Sequence, residues 1–231
     1  MQEGRNSVNM WRRNFHGITS YERWKDIIDR VLALLALIVL GPLLALIWVA
    51  IRLDSPGAPI FCQSRVGKDG KTFTIYKFRT MYVNSSQQKY EDYLREFICE
   101  GKPYLESGGN GAIYKVLNDN RVTRFGGLLR KSCLDELPQL VNVLKGEMAL
   151  VGPRPEPPQA VAMYQEKHKA RLAVKPGITG PWQINGRYRV TFERMVQTDL
   201  DYIRRRSLWL DTKILLLTIP ALVSRKDGLN G

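Results

Sequence analysis

Residues 31–51 read VLALLALIVLGPLLALIWVAI, an uncharged run held between Arg30 and Arg52. As one straight helix its 21 residues reach about 31 Å, enough to cross a hydrocarbon core. The run starts too far into the chain for a signal peptide, and no small-residue cleavage site accompanies it. The plain alternative is a single-pass anchor, and two features turn the reading away from it. Gly41-Pro42 sits at the midpoint, where proline removes a helical hydrogen bond and clashes with the preceding turn. Each half is then roughly 16 Å long, too short to cross alone. Charge is the second feature. Arg5, Arg12, Arg13, Arg23, Lys25 and Arg30 precede the run, and Arg52, Arg65, Lys68, Lys71, Lys77 and Arg79 follow it. Basic residues on both flanks favour the cytoplasmic side for both. The expectation is a re-entrant helix kinked at Gly41 and Pro42 that enters and leaves by one face.

Working outward, residues 1–30 form an expected amphipathic segment in which Trp11, Phe15, Tyr21 and Trp24 alternate with basic residues, a composition suited to lipid headgroups. The expected divisions are a membrane helix at 31–52, a cytoplasmic domain at 53–224 and a tail at 225–231. Overall the 231 residues carry 35 Lys and Arg against 22 Asp and Glu, a net charge of +13. That excess asks for polyanionic company: nucleic acid, an anionic membrane face or phosphorylated substrates. The apolar content excludes a disordered chain. Cys62, Cys99 and Cys133 are odd in number and far apart, which excludes a disulfide scaffold and fits a reducing compartment.

The remaining pattern predicts one compact α/β unit, mostly helical. PIFCQSRVG and KTFTIYKFRTM read as two strands around Gly67–Gly70. Helices are expected over 85–100, 124–131, 137–145, 160–172, 191–206 and 208–224, with loops at 101–120 and 175–187. In the last of these helices Asp211, Lys213 and Pro220 argue for an interfacial or core position, and its apolar face suits either the membrane or a homodimer interface.

Asp135 and Glu136 are the most conspicuous polar residues, set among apolar neighbours in CLDELPQLVNVL. Carboxylates in such surroundings are costly unless paired, protonated or bound to a cation. Pro138 places them at a helix start, where they either cap the helix or work beside a bound phosphate. Arg121, Arg124, Arg130 and Lys131 precede the pair. Arg154 follows in a turn stiffened by prolines on both sides, and Lys77 and Arg79 end the second strand. His16 and His168 have no carboxylate or cysteine at ligand spacing, which speaks against a zinc site or a histidine triad.

Taken in order, the proline-broken apolar helix, YKFRTM, NDNRVTRFG, LRKSCLDELPQLVNVLKGEMALVGPRP and KPGITGPWQINGR resemble the bacterial sugar transferases, small monotopic phosphoglycosyl transferases. The resemblance runs from about Arg23 to Ser224. It implies transfer of a sugar 1-phosphate from a UDP-sugar to polyprenyl phosphate at the cytoplasmic face of the bacterial inner membrane, with release of UMP. Asp135 would be the nucleophile that forms a covalent phosphosugar intermediate, and Glu136 would bind Mg²⁺. Lys77, Arg130 and Arg154 would hold phosphates, and Gln183, Asn185 and Arg187 would lie near the nucleotide sugar. The donor expected is a neutral UDP-hexose. Gly41 and Cys133 stand where many relatives have serine, and neither replaces a reacting group. Longer relatives carry further membrane spans ahead of this unit, so the expectation is the minimal catalytic form. A membrane-tethered nucleic-acid-binding protein is the main rival from the charge, but no aromatic-interleaved basic stripe or recognition helix supports it, and no nucleic-acid partner is expected. On sequence alone, a non-catalytic assembly protein and direct attack by the lipid phosphate remain open.

Overall fold

The computed structural model describes residues 19–83, 88–101, 121–184 and 191–223, with side chains over 20–83, 94–101, 121–184 and 191–221. The first eighteen residues, the expected loop from 102 onward and the tail lie outside the described residues.

Helix α1 spans Thr19–Asp54 as one element with Pro42 inside it. Asp29, Ala33, Ile47 and Ile51 are buried, and half-buried Leu37 and Leu44 fill the steps between them, so one helical stripe faces the protein. The first half of that stripe packs on Ile75, Leu140, Val143 and Met148, the second on Phe78 and Leu129. The other faces are apolar and open: Ile38, Val39, Leu46 and Leu53 are each more than 60 % exposed. A helix of a soluble domain would present polar residues there.

Gly41-Pro42, where the kink is expected, lies inside this one helix. Proline costs its own hydrogen bond, but packing on both sides of it holds the helical backbone through the site. The boundary expected between residues 30 and 31 also falls inside α1. Its charged opening turns are tied down by Tyr21 and Lys25, which both donate to Asp211, and by Lys68 and Arg206, which both reach Glu22.

Strands β1 (Ile60–Val66) and β2 (Thr72–Phe78) pair antiparallel from Ile60↔Phe78 to Val66↔Thr72, as the sequence predicts. Asp69 and Gly70 take left-handed backbone in the turn. Helix α2 (Gln88–Cys99) buries Leu94 and Phe97, and α3 (Arg124–Ser132) is capped by Thr123, whose Oγ1 accepts from the Gly126 amide. A 3-10 segment, Leu134–Gln139, then leads into α4 (Leu140–Leu144), β3 (Ala149–Val151) and α5 (Pro158–Ala162). Another 3-10 segment, Glu166–Ala173, is followed by β4 (Gly177–Thr179), which lies parallel to β3. Helices α6 (Pro181–Ile184), α7 (Phe192–Arg205) and α8 (Leu208–Val223) complete the described chain.

Three elements differ from the sequence reading. The helix expected over 160–172 is two pieces, because the Gln165 amide donates to His168 Nδ1 and recaps the chain there. The loop expected over 175–187 contains β4 and α6. The helix expected from 137 begins as the tighter 3-10 segment. In α8, Asp211 is buried and accepts from Tyr202 as well, while Trp209, Leu216 and Ile219 stay exposed. One side of α8 therefore joins the core and its apolar opposite side is open.

The seat of α3 yields a sharp test. A Cβ on Gly126 would lie 2.3 Å from the Thr80 carbonyl oxygen, whereas one on Gly127 meets nothing within 4 Å. Gly126→Ala should therefore cost about 3 kcal/mol by pushing α3 off the backbone it abuts. Gly127→Ala should gain about 0.5–1 kcal/mol from helix propensity. Melting temperatures of the two variants should move in opposite directions.

Candidate functional site

The site begins with two leucines. In a 3-10 helix residues three apart share a face, so Leu134 and Leu137 point the same way, and both pack into apolar clusters. That anchoring turns Asp135 and Glu136, the residues between them, toward the other faces. Cys133 precedes the segment with φ 55, a left-handed conformation that reverses the chain after α3 and costs a residue with a Cβ about 1 kcal/mol. Strand β2 packs against the same segment and delivers Lys77 near its end.

Glu136 is the centre of charge. Its Oε1 accepts from Lys77 Nζ at 3.1 Å and from Arg154 Nη2 at 3.1 Å, all three side chains being less than a quarter exposed. Burial works against the Glu136 anion, but the two cations outweigh it and hold the carboxyl well below the usual carboxylate range. Burial also lowers the Lys77 ammonium, an effect reinforced by Arg154 and opposed by Glu136 and Asp135. Asp135 is half-buried, with its Oδ1 shut off from solvent.

The remaining predicted residues divide. Arg130, on α3, donates from Nε to Thr80 Oγ1 at 2.9 Å, and α3 packs against the segment that carries the dyad. Arg79 belongs elsewhere: it is buried and grips the Ser55 and Pro56 carbonyls beyond the end of α1. Gln183 is buried on α6, with Nε2 directed to the Ile178 carbonyl at 3.4 Å. Asn185 and Arg187 lie outside the described residues.

Arg154 is held by its backbone. Four successive carbonyls are engaged, Pro153 by the Gly177 amide, Arg154 by Arg171 Nη2, Pro155 by Arg65 Nη1 and Glu156 by the Val66 amide. Sequence reasoning found the stiff turn but missed Arg65, Arg171 and Asp199. Asp199 did leave a signal, since it falls on the apolar stripe of α7 formed by Phe192, Met195, Val196, Tyr202 and Ile203.

Among the described residues no three or more His, Cys, Asp or Glu gather as a metal site. Asp135 and Glu136 are adjacent carboxylates, and a hard cation of the Mg²⁺ kind commonly binds one or two carboxylates and completes its shell with water and substrate phosphates. A cavity of about 350 Å³ lies elsewhere, between the first turns of α1, β3 and the end of α7. Arg23, Lys25, Lys68, Lys175 and Arg206 line it with Glu22, Asp26 and Asp29, and Glu22 lies between Lys68 and Arg206, with Asp26 paired to Lys175 and Asp29 to Lys25. The site around Glu136 sets two cations on one carboxylate with Asp135 as the adjacent residue, an arrangement suited to phosphate chemistry.

The chain is similar to known proteins over most of its length. The sequence model of the bacterial sugar transferases matches residues 20–225. The galactosyl transferase CpsE of Streptococcus agalactiae is 40% identical over 86% of this chain and 42% of its own length. The UDP-glucose:undecaprenyl-phosphate glucose-1-phosphate transferase of Xanthomonas campestris pv. campestris is 40% identical over 88% of this chain and 40% of its own length. The exopolysaccharide production protein ExoY of Sinorhizobium fredii is 38% identical over 84% of this chain and 82% of its own length. The chain thus spans about two-fifths of the length of several curated relatives and most of the length of ExoY.

Proposed function

We propose that this chain, which belongs to the bacterial sugar transferase family, transfers a sugar 1-phosphate from a UDP-sugar to polyprenyl phosphate. The observation that carries the reading is the Lys77–Glu136–Arg154 cluster with Asp135 in the same turn: two cations for a diphosphate beside a carboxylate able to attack it. In the first step an Asp135 carboxylate oxygen attacks the β-phosphorus. The bond from that phosphorus to the bridging oxygen breaks, and UMP leaves with that oxygen. In the second step a phosphate oxygen of the lipid attacks the aspartyl phosphosugar, giving polyprenyl-diphosphate sugar and restoring the carboxylate. Covalent catalysis of this kind divides one difficult displacement into two easier ones.

Lys77 and Arg154 orient the diphosphate and offset charge on the departing UMP, and Arg130 supports the phosphates from α3. Glu136 keeps those cations in place and, with the substrate, would hold Mg²⁺. When bound, that ion supplies Lewis-acid neutralisation of the diphosphate. CpsE is named for galactose and the Xanthomonas campestris protein for glucose, which favours UDP-glucose or UDP-galactose as donor.

A water-soluble nucleotide-sugar donor and a lipid acceptor would meet at the cytoplasmic face of a bacterial inner membrane. Supporting a monotopic arrangement, both halves of α1 pack on the one body that bears the charged cluster, while the outer faces of α1 are apolar. A spanning helix would carry one end away to the opposite side.

Purified protein in detergent, given Mg²⁺, undecaprenyl phosphate and a panel of UDP-sugars, should release UMP with one or two donors. UDP as the product would mean glycosyl transfer and overturn the reading.

A further inference from the structure

We infer that Arg171, locked to Asp199, is a positioning residue that sets the turn carrying Arg154 and thereby the diphosphate site. The inference rests on the phosphotransfer reading for its kinetic consequence, while its structural part stands independently.

Arg171 lies on the 3-10 segment Glu166–Ala173 and is 3% exposed; Asp199, on α7, is 0% exposed. A buried ion pair of this kind is a poor source of stability compared with apolar residues of the same size. Its presence therefore calls for another reason, and the geometry of the guanidinium provides one. Nε donates to Asp199 Oδ2 at 2.8 Å, and Nη2 approaches the same oxygen at 2.8 Å. Nη1 donates to the Tyr164 hydroxyl at 2.6 Å, and Nη2 also reaches the Arg154 carbonyl at 3.5 Å. One planar cation thus joins α7, the aromatic core around Tyr164 and the turn whose side chain grips Glu136.

The contact to the Arg154 carbonyl is the longest of the four. It borders a void of about 10 Å³ lined by Arg154, Glu156, Tyr164 and Arg171, close to the least volume that holds one water. The neighbouring carbonyls of the turn have shorter backbone or arginine partners. Through Arg171, α7 is thereby tied to the backbone of the residue that supplies the second cation of the Glu136 cluster. An ammonium at this position could pair with Asp199, but it lacks the planar fork that serves Asp199, Tyr164 and Arg154 together.

This difference sets the test. Arg171→Lys keeps the charge pair and loses the fork, whereas Asp199→Asn loses the pair and keeps an acceptor oxygen for Nε. For a bracing role, Arg171→Lys should raise KM for the UDP-sugar about tenfold with kcat changed less than threefold, and Asp199→Asn should raise KM less. Hydrogen exchange at the Gly177 and Val66 amides, which donate to the Pro153 and Glu156 carbonyls of the turn, should quicken in Arg171→Lys more than in Asp199→Asn. If the pair were merely structural, the order would reverse, with Asp199→Asn the more damaged and the melting temperature falling without a change in KM. That outcome, or unchanged exchange in Arg171→Lys, overturns the inference. Absence of UMP release by the wild type would overturn the functional reading instead, and the exchange measurement would still decide the brace.

Discussion

Asp135→Asn should release UMP from the UDP-sugar roughly a thousandfold more slowly than the wild type, or slower still, while remaining folded. The substitution is nearly isosteric and replaces an attacking carboxylate oxygen with a neutral amide, which leaves the first displacement without its nucleophile. Stability should change little, because the leucines that seat the segment, Leu134 and Leu137, are untouched. The Lys77 and Arg154 contacts to Glu136 are likewise retained. The decisive companion measurement is a single-turnover experiment with labelled sugar and no lipid acceptor. Wild-type protein should retain label stoichiometrically, through a bond that is lost on treatment with hydroxylamine, and Asp135→Asn should retain none. A variant that kept more than a tenth of wild-type turnover would show that the lipid phosphate attacks the donor directly, with Asp135 in a supporting role.

Much of this site was legible in the sequence because it rests on short-range chemistry. The leucines bracketing the dyad, the prolines bracketing Arg154 and the strand ending in Lys77 each leave a local mark, and the fold brings Lys77, Glu136 and Arg154 together. The left-handed Cys133 leaves no such mark, since its conformation is imposed by packing on either side of the chain reversal. The Arg171–Asp199 pair is separated by a long stretch of sequence, and only the charge on the apolar stripe of α7 hints at it. In helix α1 the same division holds. Its apolarity and length were evident, but persistence of helix through Pro42 depends on contacts with Ile75 and Val143 on one side and Phe78 and Leu129 on the other. Local propensity favours a break there, and tertiary packing overrides it.

The other large effect belongs to Glu136, whose replacement should damage stability and turnover together. Glu136→Gln leaves Lys77 and Arg154 facing each other across a neutral amide in a mostly buried site. Removing one partner of such a cluster strands the others, at a cost of about 2–4 kcal/mol. Turnover should fall by about a hundredfold or more, because the cations lose their fixed positions and the proposed Mg²⁺ loses a carboxylate. The stability loss should depend on pH in a definite direction. In the fold, Lys77 and Arg154 overcome burial and hold the Glu136 carboxyl below its ordinary value of 4.5. Its stabilising contribution is therefore fully present at neutral pH. As pH falls below the ordinary value, the unfolded chain takes up a proton that the folded chain refuses, and the contribution is progressively lost. Denaturant midpoints of wild type and Glu136→Gln should differ most near pH 7 and converge toward pH 3. A gap that stayed constant over this range would mean that the carboxylate charge is not what holds Lys77 and Arg154 together.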